Sequence, residues 1–159
     1  MFASKLHHDL GILTIRVGVG AAFMVHGFPK LGGGPETWLE LGKAVSYVGI
    51  ERWFTFFGFM AATSEFIGGL FLIIGLMTRQ ASFLMCCTMV VATFMHLGLG
   101  HEFKVYSHAL KMAVVFLGLM LIGPGRISLD KVFHPYEVED GLDSETPSDS
   151  EPDENSEST

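Results

Sequence analysis

One acidic residue, Glu65, lies in the middle of a long apolar stretch, and it constrains the fold of this chain more than any other residue. Residues 53–76 form a run of 24 residues in which Glu65 is the only charged side chain. A helix of that length, at about 1.5 Å per residue, spans the roughly 30 Å hydrocarbon core of a bilayer. A carboxylate at mid-membrane is costly unless it is protonated, paired or turned toward a polar cavity. The stretch therefore predicts a membrane helix in a bundle with a polar interior.

Three further apolar stretches accompany it, at residues 10–26, 81–99 and 109–122. The last is only 14 residues long and contains Lys111, so we expect Lys111 to extend toward the membrane surface or to pack inward. Four buried helices of a soluble bundle are the alternative, but the stretches at 53–76 and 81–99 lack the polar face that such helices show. The predicted fold is an all-α, four-helix transmembrane bundle.

The negative charge of the chain belongs to its C-terminal end. The formal net charge is −7, and ten of the 17 acidic residues lie in residues 137–159, which contain no Lys or Arg. Such a segment cannot bury enough apolar surface to fold alone. We therefore divide the chain into a membrane domain, residues 1–136, and a disordered acidic tail, residues 137–159. The tail is interpreted as a solvated segment or as a docking site for a basic partner.

The link between the first two apolar stretches predicts a short helix at the membrane interface. Pro35 and Glu36 suit the first turn of a helix. Apolar side chains then recur at helical spacing, at Leu41, Val45 and Val48. This is the pattern of an amphipathic helix that lies on the membrane surface.

Small residues recur at four-residue spacing in two of the membrane stretches. They are Gly18 and Ala22 in the first, and Gly58 and Ala62 in the second. Such pairs permit close contact between helices in lipid.

Arg16 is the expected partner of Glu65, because it lies inside another apolar stretch. In an antiparallel bundle with about 1.5 Å of rise per residue, Arg16 lies about 9 Å and Glu65 about 12 Å from the membrane face nearest the termini. The two groups then fall within one helical turn of each other. Pairing would lower the cost of burying both charges.

The same depth calculation brings six ionisable groups to the opposite end of the bundle: His26, Lys30, His96, His101, Glu102 and His108. Three interpretations stay open. The first is a polar rim that bonds to water and backbone. The second is a site for an anion or a quinone headgroup, at which Lys and His donate hydrogen bonds and His passes protons. The third is a metal or haem site with His26 and His96 as axial ligands, which the lack of His-x-x-His or Cys-x-x-Cys spacing disfavours.

Several other classes of site are excluded by pattern. The chain has no Rossmann glycine motif, Walker loop or serine-hydrolase elbow. It also has no basic patch of the kind that binds nucleic acid.

The order and spacing of several short fragments resemble the DoxX family of small four-helix membrane proteins, over roughly residues 10–131. The fragments are Arg16-Val17-Gly18, His26-Gly27-Phe28-Pro29-Lys30-Leu31, Glu65-Phe66-Ile67-Gly68-Gly69-Leu70, Gly75-Leu76-Met77-Thr78-Arg79, His96, Gly123-Pro124-Gly125-Arg126 and Ser128-Leu129-Asp130. The resemblance implies membrane-embedded redox work, since the family is named after a subunit of a thiosulfate:quinone oxidoreductase.

From the residues and the resemblance together, we expect an integral subunit of a quinone-linked oxidoreductase complex in a bacterial inner membrane. The expected catalytic residues are Glu65, Arg16 and His96. The residues expected to bind a quinone or a small anionic substrate are His26, Lys30, His101 and His108. The cofactor stays unassigned, with quinone as the candidate and haem disfavoured. We expect no metal site, and the bilayer and a soluble oxidoreductase subunit as partners. Whether the chain is an enzyme on its own stays open, and a non-catalytic scaffold or small-solute carrier is the rival interpretation.

Overall fold

The computed structural model describes residues 2–133, with side chains from residue 6 onward. Its elements are α1 (Phe2–Gly32), α2 (Gly34–Gly42), a 3₁₀ helix (Lys43–Val48), α3 (Phe54–Ile74), α4 (Thr78–Gly98), α5 (Phe103–Ile122) and α6 (Leu129–Phe133). In this part of the chain, four helices are long and apolar enough to cross a membrane, namely α1, α3, α4 and α5. The predicted four-helix transmembrane bundle is confirmed, and the chain is a multi-pass membrane protein. The predicted acidic tail, residues 137–159, lies outside the described residues.

The first and last membrane helices are longer than the apolar stretches that predicted them. α1 has 31 residues and continues through Pro29, which costs the helix one hydrogen bond close to its end. Because α1 does not stop at Pro29, His26 and Lys30 lie one turn apart on the same face. α5 begins at Phe103 and has 20 residues, so it is long enough to span, and Lys111 is exposed on its surface.

Glycine sets the distance between α1 and α3, which pack along each other. A Cβ added at Gly20 would lie 2.6 Å from the carbonyl oxygen of Gly69, and one added at Gly27 would lie 2.6 Å from the backbone nitrogen of Phe66. Real Cβ atoms do not come this close to backbone atoms, so only glycine allows the observed contact.

The two predicted small-residue pairs have different surroundings. Gly58 and Ala62 are buried, and Gly58 meets the backbone of Trp38 in α2. Gly18 and Ala22 lie on an exposed face of α1, where a Cβ added at Gly18 would meet nothing within 4 Å. Within the described chain, α1 therefore meets α3 through a different glycine face.

The predicted interfacial helix is confirmed as α2 and the 3₁₀ helix. Together they cross the far end of the bundle, defined here as the end opposite to the start of α1. α2 packs on the start of α3, where Gly42 meets the backbone of Phe54, and the 3₁₀ helix packs on α4, where the Tyr47 ring meets Gly98. This segment closes the far end of the space between the membrane helices.

The hydrophobic core contains residues from all four membrane helices. Phe116 of α5 is fully buried and meets Phe23 of α1 edge to face, with ring centroids 4.9 Å apart. Leu72 of α3 and Met85 of α4 are fully buried in the same cluster. This layer ties the bundle together below the space that α2 covers.

Candidate functional site

Lys30 and Glu65 form an ion pair between α1 and α3. Nζ of Lys30 lies 2.6 Å from Oε2 and 2.8 Å from Oε1 of Glu65. Only 5% of the Glu65 side chain is exposed, whereas 35% of the Lys30 side chain is exposed. The carboxylate is therefore held inside the bundle, and the ammonium reaches it from nearer the surface.

The packing of the backbone brings these two side chains together. A Cβ added at Gly27 would lie 3.0 Å from the backbone carbon of Glu65, so α1 crosses α3 at this point. Lys30 lies almost one turn further along α1, within reach of the carboxylate. The indole N–H of Trp38 donates to the carbonyl oxygen of Lys30 at 3.0 Å, which ties α2 to the end of α1. The ion pair thus lies where three helices meet.

The predicted ion pair between Arg16 and Glu65 is wrong. Arg16 is only 1% exposed and donates to backbone carbonyls, to Leu72 at 2.9 Å, Pro124 at 2.5 Å and Ile127 at 3.0 Å. A longer contact of 3.4 Å goes to the carbonyl that follows Leu72. The last carbonyls of a helix have no partner within the helix. Arg16 therefore caps the negative end of α3 and holds the segment that follows α5.

The register of α1 against α3 explains why the prediction failed. Gly20 faces Gly69 and Gly27 faces Glu65, so Arg16 faces the last turn of α3. That turn lies seven residues beyond Glu65, or about 10 Å along the helix axis. Counting depth from residue 10 placed Arg16 too deep, because the start of α1 extends beyond the end of α3.

Asp130 fixes the same end of the bundle, and sequence reasoning assigned it no role. Its carboxylate accepts the backbone N–H of Met77 at 2.6 Å and of Thr78 at 2.9 Å, where α4 begins. Its own N–H donates to the carbonyl of Gly75 at 2.8 Å. A carboxylate at a helix N-terminus satisfies free N–H groups and interacts favourably with the helix dipole. This end is closed by hydrogen bonds to the backbone, and Arg16 belongs to that structural network.

A cavity of about 790 Å³ lies between the membrane helices beneath α2. Five predicted site residues line it: His26, Lys30, Glu65, His96 and His108. Most of the remaining lining is apolar, from Phe, Met, Leu, Val and Ala side chains. The volume falls in the range of roughly 300–1,000 Å³ that is typical of sites for small molecules.

Two histidines mark an opening of this cavity. His26 on α1 and His108 on α5 line the cavity and are also exposed. The cavity wall therefore reaches the protein surface at these two side chains. Glu102, predicted in the same cluster, is the exposed residue that precedes α5 and does not line the cavity.

His101 lies outside the cavity but contacts it through His96. The Nδ1 atoms of the two rings lie 2.9 Å apart, so one Nδ1 carries a hydrogen and donates it while the other accepts. His101 is exposed in the loop between α4 and α5, whereas His96 is half-buried and lines the cavity. The two rings connect the surface at the far end to the cavity.

Among the residues that the structure describes, no three His, Cys, Asp or Glu side chains lie close enough to hold a metal ion.

In the cavity wall, the hydroxyls of Ser64 on α3 and Thr88 on α4 lie 2.9 Å apart. Sequence reasoning missed this contact, because single hydroxyl residues in apolar helices carry no spacing pattern and only the fold brings them together.

Comparison with known protein families matches the family model described as DoxX to residues 11–98, which is more than half of the chain. Comparisons with curated proteins and with solved structures gave no match. The matched range covers the ion pair, α2 and His96.

Proposed function

Because the chain belongs to the DoxX family, we propose that it is the quinone-binding membrane subunit of an oxidoreductase complex in a bacterial inner membrane. The observation that carries this proposal is the cavity of about 790 Å³, which has mostly apolar walls and one ion pair whose carboxylate is buried. A quinone has a flat apolar body with two carbonyl oxygens that accept hydrogen bonds. Its chemistry fits a largely apolar pocket with a few polar donors.

The ion pair favours a neutral ligand over a small anion. Both carboxylate oxygens of Glu65 contact the single ammonium of Lys30, so the pair as a whole carries no net charge. An anion would have to compete with Glu65 for Lys30 and would leave the buried carboxylate without a partner, which is costly. A neutral quinone does not require this exchange. The ammonium has three N–H donors, and the third bonds to no other described group, so it can bond a quinone carbonyl.

Reduction of a quinone to a quinol takes two electrons and two protons. In our proposal, the electrons come from a redox group of the soluble partner subunit, and the chain supplies the place and the protons. Lys30 holds a carbonyl oxygen of the quinone, and His96 delivers protons that enter at the exposed His101. Imidazole suits this role because it gains and loses a proton near neutral pH.

Quinone binding can be measured through Trp38, whose indole N–H bonds to the backbone of Lys30. The chain has two tryptophans, so a Trp53→Phe background leaves Trp38 as the only reporter. We expect a short-tailed ubiquinone analogue to quench its fluorescence saturably in detergent. The double variant Lys30→Met with Glu65→Gln should bind at least tenfold more weakly, because it removes the charged ammonium donor of Lys30 without leaving an unpaired charge.

Lys104→Met is the matched control, since Lys104 is exposed at the start of α5 and does not line the cavity. Equal quenching in wild type, control and double variant would contradict the proposal and favour the scaffold or carrier function. Extraction in mild detergent tests the oxidoreductase part. A soluble subunit with a redox group should co-purify, and its absence from every preparation would contradict a role in such a complex.

A further inference from the structure

Polar and apolar side chains share the wall of the cavity. The polar lining residues come from every helix around it, including Glu65 on α3 and His96 on α4. The apolar part is formed by one stripe on α3, with Phe56, Met60 and Ala61, and one stripe on α4, with Leu84, Val91 and Met95. We call this part the α3–α4 groove.

The spacing of the lining residues shows that the groove runs along the helices. On α4 the lining positions recur every three or four residues from Leu84 to Met95, which is one face of a helix. These eleven residue steps correspond to a length of about 17 Å. A quinone headgroup at Lys30 and Glu65 would therefore occupy only part of the cavity.

The groove is open to the hydrocarbon of the bilayer. Phe56 is 53% and Leu84 is 43% exposed on the membrane-spanning part of their helices. Its hydroxyl groups make no demand on a ligand, since Ser64 donates to the carbonyl of Ala61 and Thr88 to that of Leu84. An apolar chain can thus lie in the groove without leaving a buried polar group unsatisfied.

We propose that the α3–α4 groove holds the hydrocarbon tail of the molecule whose headgroup contacts Lys30 and Glu65. This inference rests on the proposed function and specifies its substrate as a long-tailed isoprenoid quinone whose tail lies along α3 and α4. The headgroup site and the groove are parts of one continuous cavity, so a single amphiphilic molecule fills both. Met60 and Met95 give the groove flexible walls that adapt to a branched tail.

The physics of the tail decides which experiment is informative. A tail that moves from the bilayer into the groove leaves one hydrocarbon environment for another, so there is little hydrophobic driving force. Affinity measured in lipid or detergent should therefore depend only weakly on tail length. The informative measurement is therefore the position of the tail in the protein.

Photo-crosslinking in proteoliposomes measures that position. The probe is a ubiquinone analogue with a diazirine on its tail, and labelled residues are identified by mass spectrometry. We expect labels on both walls of the groove, at Met60, Leu84 or Val91, and competition by a short-tailed quinone. A fatty acid with the same diazirine but no headgroup is the control probe, and it should label the groove at least fivefold less.

Variants of the protein make the test specific. Ala92→Phe, which adds bulk to the groove wall, should reduce groove labelling at least fivefold, and Ala61→Phe on the opposite wall is a second filler. Val114→Phe is the matched control, because Val114 is 63% exposed on α5 and outside the cavity. The double variant Lys30→Met with Glu65→Gln should lower labelling by the quinone probe to the level of the fatty acid.

The outcomes separate the inference from the function on which it rests. Equal labelling by both probes, unchanged in the Lys30 and Glu65 double variant, would show that ordinary lipid fills the groove and would overturn the inference. Labels on other surfaces together with intact quenching of Trp38 would also overturn it and leave the proposed function standing. If the wild-type protein showed neither quenching of Trp38 nor specific labelling of the groove, both the inference and the proposed function would be overturned.

Discussion

Removal of Lys30 and removal of Glu65 should have unequal effects on stability, although the two residues form one ion pair. Glu65 is 5% exposed and bonds to no other described side chain, so Lys30→Met leaves an unpaired carboxylate inside the bundle. The Lys30 side chain is 35% exposed, so after Glu65→Gln its ammonium can extend toward the surface. The loss of stability therefore depends mainly on whether the buried carboxylate of Glu65 is left without a partner.

These exposures can be converted into expected free energies of unfolding. Orphaning one member of a buried ion pair costs about 3–5 kcal/mol, and the partial exposure of Lys30 points to the lower value, about 3 kcal/mol, for Lys30→Met. Glu65→Gln keeps an oxygen acceptor for Lys30 and should cost about 1 kcal/mol, the difference between a charged and a neutral hydrogen bond. The double variant leaves an amide in place of an unpaired carboxylate, so it should lose only about 1–2 kcal/mol.

Thermal unfolding in mild detergent, followed by tryptophan fluorescence, measures this order. At about 2–4 °C per kcal/mol, Lys30→Met should lower the midpoint by roughly 6–12 °C, and the double variant should recover part of that loss. Lys43→Met is the control, because Lys43 and Glu40 form an exposed pair whose loss costs less than about 1 kcal/mol. If Glu65→Gln were as damaging as Lys30→Met, or if the double variant were no better, an unpaired buried carboxylate would not be the source of the cost.

Three further comparisons test the packing by the same unfolding measurement. Arg16→Leu leaves buried carbonyls without donors and should lower the free energy of unfolding by about 3 kcal/mol. Arg16→Lys should recover less than half of this loss, because one ammonium cannot replace the guanidinium fork. Full recovery with Arg16→Lys would contradict the role of the several carbonyl contacts. Asp130→Ala removes the cap of α4 and should cost about 1–2 kcal/mol, and no change would show that the cap is not needed. Gly27→Ala forces α1 away from α3 and should lower the free energy of unfolding by about 1–3 kcal/mol. Gly18→Ala, on an exposed helix face, should instead raise it by up to about 1 kcal/mol. The reverse order would show that the helices do not pack through Gly27.

The number of membrane helices could be predicted from the sequence, but not their ends. Runs of apolar residues indicate a span because the hydrocarbon core tolerates few charges. The same rule fails near the interface, where long polar side chains reach water from inside a helix. α5 therefore begins at Phe103, with Lys104 and His108 in its first turns, while the apolar run begins only after them.

The faces of α1 could not be assigned from small residues alone. Gly18 and Ala22 have the four-residue spacing of close helix contacts, yet they lie on the exposed face. The contact with α3 uses Gly20 and Gly27, seven residues or about two turns apart. Small residues thus occur on two faces of α1. The face that contacts α3 is the one with Gly20, because the backbone of Gly69 on α3 lies opposite it.

The partners of the buried charges depend on the register of the helices, which depth counted from hydrophobicity does not give. Arg16 and Lys30 lie on the same helix, but the depth calculation brought only Arg16 close to Glu65 and placed Lys30 at the opposite end of the bundle. A shift of α1 along α3 of about 10 Å, or seven residues, exchanges one for the other. The residues of the far-end cluster were less sensitive to this shift, because they lie at the ends of several helices that α2 draws together.

Arg16 and Lys30 differ in the kind of group that accepts their hydrogen bonds, and this difference distinguishes a structural contact from a candidate ligand contact. Arg16 bonds to backbone carbonyls on α3 and on the segment after α5, and these acceptors cannot leave without opening the bundle. Lys30 bonds to one side chain, Glu65, and both line the cavity. A side-chain pair can change its geometry at small cost, so it can admit a ligand while the backbone stays in place. The end of the bundle that Arg16 and Asp130 hold thus serves as the rigid base. The proposed ligand site lies toward the other end, where Lys30 is the only Lys or Arg among the described residues that line the cavity.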